Sequence, residues 1–128
     1  MILLDTHALV WSLLRPELLS KTARESLEAA SSWGVSSATL YEMRYKHRIG
    51  KWPEIAALVE NLRGRLGELG FEIFAMDAMA MDLAGDLDWS HRDPFDRMIT
   101  ATCIVRRVPL VSKDVALDGV PGGIERVW

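Results

Sequence analysis

Four acidic side chains are spaced as a metal-assisted reaction requires: Asp5, Glu42, Asp96 and Asp114. Asp5 directly follows the apolar run Ile2-Leu3-Leu4. Asp114 follows Leu110-Val111-Ser112 with only Lys113 between. Glu42 falls in the second turn of a helix expected after Val35, and Asp96 in the first turn of a helix opened by Pro94. If the apolar runs are parallel strands, acids that follow them lie beyond their carboxyl ends, where open α/β sheets bind ligands. Asp96 reaches that edge through a helix-to-helix connection. Gathered carboxylates repel: two like charges about 4 Å apart cost on the order of 4 kcal/mol at a surface-like effective dielectric. Raised pKa values or a divalent cation relieve this. An all-oxygen donor set suits Mg²⁺ or Mn²⁺. The chemistry that one or two such ions serve is phosphodiester hydrolysis, by activating a water and stabilising charge on the phosphoryl and leaving oxygens.

Each acid has a plainer reading when taken singly. Asp5 can cap the helix that follows it. Asp93-Pro94-Phe95-Asp96 has the form of an N-cap, a proline at the first helical position and an acid that complements the helix dipole. Glu42 can be a solvated helix residue, and Asp114 a loop or cap residue. Only the set as a whole points to a site.

The elements that must position these acids read as alternating strands and helices. Ile2-Leu3-Leu4, Trp33-Gly34-Val35-Ser36, Phe71-Glu72-Ile73-Phe74 and Pro109-Leu110-Val111-Ser112 are strand candidates, with Glu125–Trp128 as a short last one. Helices are expected over Ala8–Leu14, from Ser20 to about Ala30, over Ala38–Ile49, around Ala80–Leu87 and from Pro94 onward. Ile55, Leu58, Val59, Leu62, Leu66 and Leu69 follow an i, i+3, i+4, i+7 pattern, which predicts one amphipathic helix from Pro53 to Gly70. Strands alternating with helices predict an α/β sandwich whose central, mainly parallel sheet is covered on both faces. The 128 residues show no linker, repeat or low-complexity tract, so a single domain over 1–128 is expected.

Composition excludes several classes. Fifteen basic against eighteen acidic residues leave a net charge of −3, which rules out coating nucleic acid by bulk charge neutralisation. The single cysteine, Cys103, rules out an internal disulfide and a cysteine-based zinc site, and it reads as a small core residue. The N-terminus lacks a basic n-region, and no apolar stretch reaches membrane-spanning length, so a cytoplasmic protein with no membrane contact is expected. His7, His47 and His91 lack metal-site spacing and read as supporting or structural. Arg44, Lys46, His47, Arg48 and Lys51 form the densest basic stretch. It reads as a solvated helix end, or as a strip that guides an RNA backbone towards the acids. Most of the five tryptophans are expected in the core, with one or two at a partner surface.

Four segments together resemble the PIN domain, and more narrowly the VapC-type toxins of bacterial type II toxin–antitoxin pairs. They are Leu3-Leu4-Asp5-Thr6-His7-Ala8-Leu9-Val10-Trp11, Val35-Ser36-Ser37-Ala38-Thr39-Leu40-Tyr41-Glu42, His91-Arg92-Asp93-Pro94-Phe95-Asp96-Arg97 and Leu110-Val111-Ser112-Lys113-Asp114. The resemblance spans essentially the whole chain. It implies a PIN fold and Mg²⁺- or Mn²⁺-dependent endoribonuclease activity. It places the family's acidic quartet on Asp5, Glu42, Asp96 and Asp114, with Asp5 and Asp96 as principal metal ligands. It implies that Thr6 and Ser112 orient carboxylates, that Asp93 caps the helix presenting Asp96, and that Arg97 touches substrate phosphate or pairs with an acid. It also implies a small VapB-type antitoxin as partner and a homodimer. Two rivals remain: a phosphoacceptor receiver domain with Asp77 after the third strand, and a catalytically silent RNA-binding module.

Overall fold

A computed structural model describes residues 1–128. The strands are β1 (Ile2–Leu4), β2 (Trp33–Ser36), β3 (Phe71–Phe74), β4 (Leu110–Val111) and β5 (Arg126–Val127). The helices are α1 (Thr6–Leu14), α2 (Lys21–Ala29), α3 (Ser37–Arg48), α4 (Ala56–Val59), α5 (Leu62–Glu68), α6 (Ala78–Asp86) and α7 (Pro94–Arg106). Short 3-10 turns occupy Pro16–Leu18, Pro53–Ile55 and Val115–Gly119. Every strand pairing is parallel, in the order β3-β2-β1-β4-β5. From β1 the chain builds outward to β3, then returns to lay β4 and β5 on the other side. Strand order therefore reverses between β1 and β4. Such a reversal leaves a crevice beyond the strands' carboxyl ends. Asp5 and Asp114 follow the two strands that flank it.

Alternate residues of the central strands face opposite layers. Ile2 and Leu4 join Leu9, Val35, Met43, Leu62, Leu66 and Val111 on one face. Leu3 and Leu110 join Ile99, Cys103 and Leu117 on the other. β1 is buried on both sides, which is why it reads as an unbroken apolar run. α3 belongs to both layers, with Met43 in the first cluster and Ala38 in the second.

Side-chain caps start the helices where the sequence suggests. Asp5, Ser20, Ser36, Asp77 and Asp93 each accept a hydrogen bond from a backbone N–H of the first turn of α1, α2, α3, α6 and α7, respectively. The single helix expected between Pro53 and Gly70 is instead a 3-10 turn followed by α4 and α5, broken at Glu60-Asn61. Asn61 leaves helical geometry (φ −136°, ψ 50°), and its side chain covers Gly64, where a Cβ would fall 2.5 Å from Asn61 Nδ2. The apolar period survives the break, because Ile55, Leu58, Val59, Leu62 and Leu66 all remain buried.

The sheet order also removes the receiver-domain reading. β3 lies at the sheet edge, and Asp77 caps α6 and pairs with Arg106 at 3.6 Å, outside the β1–β4 crevice.

Gly34 on β2 is fixed by close packing. A Cβ there would fall 2.6 Å from Phe74 Cε2 and 3.3 Å from Met1 Sδ. Gly34→Ala is therefore expected to cost about 1–3 kcal/mol of stability through overpacking. Urea unfolding checks this, the expectation being a lower midpoint with an unchanged slope.

Candidate active site

Asp5 leaves β1 at the crevice and turns directly into α1. Its Oδ1 accepts the Ala8 N–H at 2.6 Å. Capping thus locks the carboxylate in place, so the two readings of Asp5 coexist. Burial pushes its carboxyl above the ordinary range. The Ala8 N–H, the Ser112 hydroxyl and the charge of His7 pull the other way, and Glu42 pushes with the burial.

Glu42 is carried by α3 and is 3% exposed. A buried carboxylate needs partners for both oxygens. Thr6 Oγ1 donates to Oε2, and Lys46 one turn later pairs with Oε1. Thr6 also reaches Thr39 Oγ1 at 3.3 Å. Two of the first three residues beyond β1 thus orient or form the acidic wall.

Asp93 caps α7 by accepting the Phe95 and Asp96 N–H groups at 2.8 and 3.2 Å. That cap and the fixed φ of Pro94 set the direction of Asp96. Burial first, then Asp93 and Glu42, push the Asp96 carboxyl from 3.8 up to about 6, against the pull of His91. His91 Nε2 lies 2.8 Å from Asp96 Oδ2 and 3.2 Å from Asp114 Oδ2. Asp114 follows β4, caps the Val115–Gly119 turn by accepting the Ala116 N–H, and donates its own backbone N–H to Ser112 Oγ at 3.1 Å.

Asp5, Glu42, Asp93, Asp96 and Asp114 meet in an open cleft of about 390 Å³. Its remaining lining is His7, Trp11, Lys46 and Lys113. Five carboxylates there face two ammonium groups. The donors are carboxylate oxygens with one imidazole nitrogen, and ligand atoms of His91, Asp96 and Asp114 lie within 4.8 Å of one another. Hard oxygen donors in excess of local positive charge fit a divalent cation of the Mg²⁺ or Mn²⁺ type.

The basic stretch does not act as one unit. Lys46 reaches into the cleft, whereas Arg44 and Arg48 line a separate surface with Tyr41, Tyr45, His47 and Val59. Lys51 is exposed and lines neither. Arg97 makes neither of the expected contacts. It donates to the carbonyls of Ala84, Leu87, Trp89 and His91 (2.9, 2.6, 2.9 and 3.0 Å), pinning the connection that carries His91. Lys113 stands between Ser112 and Asp114, yet nothing in its type or spacing marks it from the sequence. Its Nζ lies 5.9 Å from the Trp11 ring centroid at the cleft mouth. His7, between the rings of Trp11 and Trp52 at 5.7 and 4.9 Å, forms the other wall.

A family model described as the PIN domain matches residues 2–123. Among solved structures, the chain is similar to VapBC2 from Rickettsia felis bound to a promoter DNA fragment, at 20% identity, with all of both chains covered and a TM-score of 0.70. It is also similar to a toxin–antitoxin complex from Klebsiella pneumoniae (20% identity, 97% of this chain and 96% of that one, TM-score 0.65). FitAcB from Neisseria gonorrhoeae matches at 19% identity, over 98% of this chain and 96% of that one, with a TM-score of 0.66. At these identities the likeness concerns the fold. No curated protein matches the chain significantly.

The raised Asp96 carboxyl makes stability depend on pH in a defined direction. Its stabilising contribution in the metal-free protein is complete below the ordinary value of 3.8 and is lost as pH rises through about 6. Asp96→Asn is therefore expected to stabilise the metal-free protein at pH 7.5 by about 1–2 kcal/mol, allowing for solvent screening. The difference should shrink towards pH 4.5. Thermal melts of both proteins in chelator across this range check it.

Proposed function

The chain belongs to the PIN domain family, and from that premise we propose that it is a metal-dependent endoribonuclease, the VapC-type toxin of a toxin–antitoxin pair. The observation that carries this reading is the convergence of Asp5, Glu42, Asp96 and Asp114 in one cleft at the β1–β4 switch point. All four acids are present, which speaks against a catalytically silent RNA-binding module.

Asp5 and Asp96 would be the principal holders of one or two Mg²⁺ or Mn²⁺ ions, with Glu42 and Asp114 completing the pocket. A cation bound there lowers the pKa of a water and neutralises charge building on the phosphoryl and leaving oxygens. The protein's own part is preorganisation. Thr6 holds Glu42 in one orientation, and the Ala8 N–H does so for Asp5. Asp93 and Arg97 fix the N-terminus of α7 and the connection before it. His91 spans Asp96 and Asp114 and keeps the two carboxylates from separating. Lys46 and Lys113 place positive charge at the cleft, where it attracts a phosphate and helps hold its oxygens.

The partner reading is supported by the similar structures, one of which is named a toxin–antitoxin complex and another VapBC2 bound to promoter DNA. A small VapB-type antitoxin would hold this chain inactive in the cytoplasm, and self-association as a homodimer belongs to the same reading. The half-exposed leucines Leu14, Leu18 and Leu69 offer apolar surface away from the acids. No helix is long and apolar enough to cross a membrane.

Asp5→Ala and Asp96→Asn are each expected to lower Mg²⁺-dependent RNA cleavage by at least about 100-fold, the upper end of the loss when a residue that merely supports a metal ligand is changed, while the fold persists. Chelator should abolish wild-type cleavage, and Mg²⁺ or Mn²⁺ should restore it. Gel assays on tRNA, rRNA and mRNA, with circular dichroism of each variant, decide the matter. Equal cleavage by wild type and both variants would sink the assignment.

A further inference from the structure

The acids of the cleft are unequal in the donor atoms they have left. Glu42 has both oxygens engaged, by Thr6 and Lys46, and Asp5 Oδ1 accepts the Ala8 N–H. Asp96 and Asp114 each turn an Oδ2 towards His91, at 2.8 and 3.2 Å from its Nε2. Donors left for an ion therefore gather on the side built by α7 and by the turn after β4. One of them is an imidazole nitrogen.

That ring is aimed at the oxygens from outside the acidic set. Trp89 packs edge-on against it, with centroids 4.7 Å apart and planes at 82°. Arg97 donates to the His91 carbonyl at 3.0 Å and to those of Leu87 and Trp89 before it. Ring and backbone are thus held from behind, as proteins hold metal ligands. Adjacent ligands on an octahedral ion with bonds of about 2.1 Å lie about 3 Å apart. The two separations from Nε2 to the carboxylate oxygens already match that spacing.

We propose that His91 Nε2 is a direct ligand, beside Asp96 and Asp114, of a first-row transition-metal dication, and that it biases the cleft towards Mn²⁺ over Mg²⁺. The proposal rests on the metal-dependent reading above and adds a nitrogen to its four acids. Nitrogen ligands favour transition-metal ions, whereas Mg²⁺ takes oxygen and keeps several waters. In the metal-free protein Nε2 donates to the carboxylates. When an ion enters between them the proton leaves Nε2, and the ring stays neutral with its hydrogen on Nδ1.

The test is electron spin-echo envelope spectroscopy of the full chain, freed of metal by chelator and loaded with equimolar Mn²⁺, which reads nitrogen bound directly to the ion. Wild type is expected to show a nitrogen coupling that is lost in His91→Ala. His7→Gln, which removes the imidazole lining the same cleft, should keep it. Competition with Mg²⁺ supplies the second measurement. His91→Asn, which offers an amide oxygen instead of the nitrogen, is expected to lower the Mn²⁺-to-Mg²⁺ affinity ratio by about tenfold or more while still binding an ion. Should His91→Ala fail to fold, loss of the coupling in His91→Asn carries the same test. Bound Mn²⁺ without nitrogen coupling, coupling that survives in both His91 variants, or an unchanged ratio in His91→Asn overturns the proposal. Absence of Mn²⁺ binding overturns it together with the metal-dependent reading. Metal-dependent cleavage of tRNA, measured in parallel, separates the two. Cleavage without the coupling defeats the His91 ligand alone, whereas the coupling without cleavage supports the ligand and defeats the ribonuclease.

Discussion

Carboxylates gathered at the carboxyl ends of β1 and β4 repel one another, and much of the chain serves to hold them there. Asp5 and Asp93 are tied to backbone N–H groups at the starts of α1 and α7. Glu42 has both oxygens engaged by Thr6 and Lys46. His91 spans Asp96 and Asp114, and Arg97 pins the connection from which His91 projects. Burial and neighbouring acids still push Asp5 and Asp96 upward in pKa, so repulsion persists after these arrangements. A site held in this state is poorer in stability than it could be, as functional sites commonly are.

The strain is bearable because the scaffold under it is closely packed. β1 is covered on both faces, and its alternate side chains enter two separate cores. The parallel order with β1 at the centre creates the switch point and supplies its two flanking acids from adjacent strands. α3 and α7 bring the other two. Each of these helices begins at a side-chain cap, so the direction of the acid in it is set within one or two turns.

Much of this was legible in the residues. Asp5 after an apolar run and Asp96 after Asp93-Pro94 mark the crevice because strand ends and helix caps are local events. The alternation of strands and helices likewise follows from short-range pattern. What escaped depends on tertiary contact. Nothing local tells that His91 reaches two acids, that Lys113 turns into the cleft, or that Arg97 donates to a row of backbone carbonyls. The break at Glu60-Asn61 escaped because the apolar period continues across it. The basic stretch on α3 read as one strip, yet a helix separates neighbours: Lys46 turns to the acids, while Arg44 and Arg48 turn away with the tyrosines.

The net charge of −3 excludes binding nucleic acid by bulk attraction, and the fold shows where part of that negative charge is concentrated. Positive charge for a phosphate would come from a bound cation and two lysines at one cleft. On this account the converging acids would hold a divalent cation. Titration of the purified, chelator-treated protein with Mn²⁺, followed by electron paramagnetic resonance, tests it most directly. Saturable binding of one or two ions that is lost in Asp5→Asn with Asp96→Asn is the predicted result. Binding that does not saturate, or that survives in the double variant, would contradict it.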